Sequence, residues 1–146
     1  MKRRMRAIVE AGPPPGLIAY AGREPVGWVQ VGPRAATPNW NGARRLSAPP
    51  DAAEAEDAGV WAINCFFIPR AHRGRGLADA LLAGAIDYAR KRRARLLDAC
   101  PVAAKGDAAN PVSIYHGVVS MFERAGFKEI ARRRADRPLM RLDLRS

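Results

Sequence analysis

The chain has 146 residues, 48% of them hydrophobic, with 25 Lys and Arg against 14 Asp and Glu and a formal charge of +11. That length supports one domain spanning residues 1–146 around a single core, and that charge favours anionic ligands over polycations. Cys65 and Cys100 are too few for a disulfide framework and lack metal-ligand spacing, and no apolar run approaches the roughly 20 residues of a membrane span, so the expectation is a cytoplasmic protein with reduced thiols, no metal and no membrane partner.

In chain order, Met1–Ala11 reads as a short helix, stopped by Gly12-Pro13-Pro14-Pro15-Gly16. Leu17–Ala21 and Val26–Val31, joined by Gly22-Arg23-Glu24-Pro25, predict a β-hairpin. Residues 32–59 show no sustained period and predict a long loop, in which Trp40 either tucks onto a sheet or contacts a substrate. Val60–Ile68 is β-branched and aromatic, as a mostly buried strand should be. From Gly76, Leu77, Leu81, Ala85 and Tyr88 recur at helical spacing, and the helix runs out in the basic stretch Arg90-Lys91-Arg92-Arg93. Leu96–Cys100 reads as a further strand. After an irregular link at Lys105–Pro111 a late helix includes Ser120–Arg124, Gly126 caps it, and Phe127–Arg133 and Met140–Leu144 alternate as closing strands.

The segment Arg73-Gly74-Arg75-Gly76-Leu77-Ala78 joins the strand to the helix with almost no spacer. A helix start presents unpaired N–H donors and a positive dipole end, and glycines before it let a phosphate approach the backbone. The chain lacks Gly-x-x-x-x-Gly-Lys-Ser/Thr, and Asp79 stands where the third glycine of a dinucleotide fingerprint belongs. What remains, Arg-x-x-Gly-x-Ala between a strand and a helix, resembles the acetyl-CoA loop of the GNAT superfamily of N-acetyltransferases. Ser120-Met121-Phe122-Glu123-Arg124-Ala125-Gly126-Phe127 is similar to the late helix of that family and its Gly-Phe ending.

The resemblance implies an α/β fold with a mixed sheet and acetyl-CoA as co-substrate, with transfer to a primary amine of a small molecule or protein. It implies that Arg73, Gly74, Arg75, Gly76, Leu77 and Ala78 hold the diphosphate. It further implies that the Phe66 N–H polarises the acetyl carbonyl and that Ile68 pairs with the pantetheine amides. Relatives place a proton-donating tyrosine where this chain has Phe122. Tyr115, seven residues earlier and on the same face if both lie on one helix, is therefore the candidate acid, against a plain packing role. Asp98 is either a base acting through water or a solvated strand-end carboxylate, and His72 and His116 are either bases or hydrogen-bonding neighbours.

Family members begin with a strand and helices before the hairpin, and only residues 1–16 precede it here. The first strand and first helix are accordingly expected to be missing, through truncation, natural shortening, or a homodimer whose partner covers the sheet edge. Phe122 and the short front end also fit a non-catalytic CoA-binding sensor or interaction module. Nucleic-acid binding rests on charge alone, without a helix-turn-helix, zinc pattern or interleaved aromatic and basic residues, and is disfavoured.

Overall fold

The strand-forming segments assemble into one mixed sheet in the computed structural model, which describes residues 3–8, 16–21, 24–42, 44–67, 76–101, 114–115 and 119–145. Strands β1 (Arg3–Ile8), β2 (Gly16–Ala21), β3 (Glu24–Pro33) and β4 (Val60–Phe67) follow one another antiparallel. Helix α1 (Leu77–Lys91) is the crossover that brings β5 (Leu96–Ala99) parallel to β4. The short β6 (Ile114–Tyr115) pairs antiparallel with the far end of β4, and after helix α2 (Val119–Arg124) come β7 (Lys128–Arg132) and β8 (Pro138–Asp143). The order across the sheet is β1-β2-β3-β4-β5-β8-β7, with β6 beside β4.

The helical period decides which side of α1 is buried: Leu77, Leu81, Leu82, Ala85, Tyr88 and Ala89. Tyr88 meets the edge of Trp61 with ring centroids 5.8 Å apart, and Trp61 Nε1 donates to the Ala58 carbonyl. Phe122 of α2 packs between Phe66, tilted at 6.3 Å, and Phe127, edge-on at 5.0 Å. Both helices join the same core cluster as Leu97 and Ala99 of β5. The expected glycine cap is present: Gly126 has φ +101°, the Phe127 N–H reaches the Phe122 carbonyl, and a Cβ at Gly126 would meet Leu142 Cδ1 at 3.3 Å.

Strand alternation turns Asp98, between Leu97 and Ala99, to the opposite face. Residues 34–59 cover it. They form 3-10 turns at Arg34–Ala36, Pro38–Asn41 and Ala52–Glu56 rather than one irregular loop. Arg34 is fully buried; its Nε donates to Asp98 Oδ2 at 2.8 Å and its Nη1 donates to Asn41 Oδ1 and the Ser47 carbonyl. Arg141 of β8, opposite Asp98 in the ladder, donates to both Asp98 oxygens and to both oxygens of Glu54. A buried charge must be paired, so this four-residue network fixes the segment onto the sheet.

Two expectations for the front of the chain change. Residues 3–8 are a strand, not a helix, and the first strand thought missing is β1 at the sheet edge. An isolated helix of that length is marginal in water, whereas β2 gives one side of the β1 backbone a ladder of partners.

Candidate active site

The start of α1 is where the described fold presents backbone donors. Gly76, just before Leu77, has φ +75° and ψ +13°, a left-handed conformation that glycine adopts without strain. A Cβ there would meet nothing within 4 Å, so the dihedral rather than crowding within the chain calls for glycine. Gly76 has no side chain to cap α1, so among the described residues no side chain takes up the first-turn N–H groups of Leu77, Ala78 and Asp79. Asp79 pairs with Arg124 of α2 at 3.1 Å, and the two residues border a groove of about 350 Å³ between the helices, floored by Leu82, Ile86 and Met121. Uncapped donors and a left-handed glycine fit the diphosphate end of a CoA molecule. Ile68, Arg73, Gly74 and Arg75, together with His72 and His116, lie outside the described residues.

Strand β4 has different neighbours along its length. Val60–Ile63 pairs with β5, but at Phe66 and Phe67 the neighbour is β6. The two parallel strands therefore part beyond Ile63 and Ala99. This corrects the expected placement of Tyr115: it lies on β6, directly opposite Phe66, and not on the helix that carries Phe122. The edge of β4 that β5 leaves gives the backbone of Ile114 and Tyr115 hydrogen-bond partners in a ladder, and the described part of α2 is Val119–Arg124. The ladder brings the Tyr115 backbone beside Phe66 from one direction, and the Phe122 ring reaches Phe66 from another.

Comparison with known proteins decides the family. The acetyltransferase (GNAT) family profile matches residues 1–127, most of the chain. The chain belongs to the GNAT family of acetyltransferases. It is similar in fold to the GNAT domain of S. lividans PAT, at TM-score 0.57 and 23% identity over 88% of this chain and 60% of that one. A putative GNAT acetyltransferase from Desulfovibrio desulfuricans aligns at TM-score 0.59 and 20% identity, covering 89% of this chain and 69% of that chain. Salmonella typhimurium yncA, a putative acetyltransferase solved with its cofactor acetyl-CoA, aligns at 0.58 and 17%, covering 89% and 64%. This GNAT chain thus spans about two thirds of the length of these structures. No curated protein matches its sequence.

Within this GNAT fold, Asp98 is neither solvated nor placed to act through water. It is fully buried and its carboxylate is held by Arg34 and Arg141. Burial disfavours the Arg34 charge and lowers its pKa, with Asp98 opposing that shift. Burial likewise opposes the Arg141 charge, but hydrogen bonds to Asp98 and Glu54 outweigh it and raise the pKa. Arg34 escaped sequence reasoning because its partner is 64 residues away and nothing local marks an arginine for burial. Cys100, just beyond β5, is a buried thiol whose pKa is pushed up by desolvation, partly opposed by the charges of Arg137, Arg133 and Arg34. Trp40 lies under the Arg34 guanidinium, 4.7 Å from the ring centroid. Among the described residues no helix is long and apolar enough to cross a membrane.

Proposed function

We propose that the protein is an N-acetyltransferase that moves the acetyl group of acetyl-CoA to a primary amine. The observation that carries this reading is the first turn of α1 behind a left-handed glycine that offers no side-chain cap, together with the parting of β4 from its parallel neighbour. Arg73, Gly74, Arg75, Gly76, Leu77 and Ala78 would hold the diphosphate, chiefly through main-chain N–H groups, with the arginines adding charge. Ile68 would pair with the pantetheine arm, which would bring the acetyl group alongside Phe66.

Acetyl-CoA supplies an activated acyl carbon and a thiolate leaving group. The chain must orient the amine, let a proton leave the attacking nitrogen as the N–C bond forms, and return one to sulfur as the C–S bond breaks. Tyr115, beside Phe66 on the ladder, is the proposed donor to sulfur.

The test is calorimetric titration with acetyl-CoA, paired with thiol release across a panel of amines. Gly76→Val should fold with a cost of about 1–2 kcal/mol from the left-handed backbone. It should also lose acetyl-CoA binding by at least tenfold, roughly, because a side chain there blocks approach to the donors. Parent protein without affinity for acetyl-CoA would end this reading. A second reading is a CoA-binding module without catalysis, and Phe122 favours it: the residue is fully buried and carries no proton to donate. Binding without thiol release from any amine would select it.

A further inference from the structure

On the sheet face opposite α1, an open cavity of about 440 Å³ is lined by Trp40, Arg44, Arg45 and Leu46, by Cys100 just after β5 and by Arg137 just before β8, among others. That volume suits a small molecule rather than a polymer. None of the described residues lining it is acidic. Arg34, Arg95, Arg124 and Arg141 each meet a carboxylate. Arg44 and Arg45 pair with no carboxylate among the described residues, and Arg137 has only the charge of Asp136 nearby, whose hydrogen bonds go to Arg134. Arg137 donates through Nη2 to the Cys100 carbonyl and keeps Nε buried without a partner. Arg133 adds a further positive charge alongside and donates to the Leu46 and Ala48 carbonyls. Four guanidinium groups with one shared acid beside them, Asp136, leave an excess of positive charge, and an anion relieves their repulsion while gaining charge-assisted hydrogen bonds.

The position of this cavity links it to the chemistry. Cys100 directly follows β5, whose last residue pairs with Ile63 where β4 and β5 part, three residues before Phe66. A ligand here sits at the same end of the two strands as the proposed transfer, with the sheet between it and α1.

We infer that this cavity is the acceptor pocket and selects a small primary amine bearing an oxyanion, carboxylate or phosphate, gripped by Arg44, Arg45 and Arg137. The assignment rests on the transferase reading above. Trp40, backed by Arg34, and Leu46 supply the apolar wall for the remainder of the acceptor.

The test is calorimetry on the full chain, alone and saturated with CoA, using matched pairs: α-amino acids against their carboxamides, and phosphoethanolamine against ethanolamine. The anionic member of at least one pair should bind about tenfold tighter, and the arm that responds identifies the oxyanion. Arg44→Gln with Arg45→Gln should abolish that preference. The charge-matched control Arg90→Gln with Lys91→Gln, at the exposed end of α1, should retain it. Equal binding of charged and neutral members, binding of neither in either state, or equal loss in the control overturns the proposal. Acetyl-CoA affinity read on the same samples separates the two ideas. If it is absent while anion selectivity persists, the transferase reading falls, and the acceptor assignment falls with it, leaving an oxyanion site of another kind.

Discussion

Tyr115 and Phe122 have different standing at the level of single residues. Seven positions apart, they would share a face on a continuous helix, yet they sit on separate elements that both converge on Phe66. If Tyr115 protonates the departing sulfur, Tyr115→Phe should lower kcat about a hundredfold while leaving the KM for acetyl-CoA unchanged. Single-turnover and steady-state rates on one preparation check this, and an unchanged kcat would assign the proton to solvent. Gly126 shows the contrasting case of a residue fully legible in sequence. Its role is local, set by a left-handed backbone and by hydrogen bonds within its own turn.

Residues 34–59 form the element whose character changed most between sequence and structure. Lack of periodicity announces a loop, but the chain there winds into short 3-10 turns, and a salt-bridged arginine buries it against β5. Removing one partner of a buried pair leaves an uncompensated charge. Asp98→Leu alone should therefore cost about 3–5 kcal/mol, and Asp98→Leu combined with Arg34→Met should cost less than the sum of the two single changes. Urea denaturation of the four proteins gives the coupling directly, and strict additivity would contradict a pair that acts as a unit. The β4, α1 and β5 unit was legible because each member carries its own period. Strand β6 was not, since two residues have no pattern and only the open edge of β4 makes them a strand.

Across the whole molecule, surplus basic charge is partly tied down by acids with arginine partners. Hydrogen bonds from the Arg95 side chain and the Gly59 N–H lower the Asp57 pKa from 3.8 to about 2. Arg145, Arg134 and Arg132 likewise lower Asp143, Asp136 and Glu129. A carboxylate with a lowered folded pKa contributes stability that is complete above its unfolded value and disappears as pH falls through the folded one. Tm should accordingly hold from neutrality to the ordinary Asp57 value of 3.8 and decline as pH drops toward 2, modestly, because these pairs face solvent. Thermal melts across that range check this, and a decline centred near neutrality would contradict it. The first strand of the sheet was hidden from sequence reading for a related global reason: Arg3–Ile8 gains its order from an edge supplied by β2.

The placement of β8 between β5 and β7 bears on how the protein is made. A ribosome delivers β5 well before its antiparallel neighbour, so the growing polypeptide carries an open seam beside Leu96–Ala99 until Pro138–Asp143 emerges. Arg141 then arrives as the second guanidinium on Asp98. Closing the seam and neutralising the interior charge are one late event, and every shorter intermediate is left exposed to edge-to-edge association.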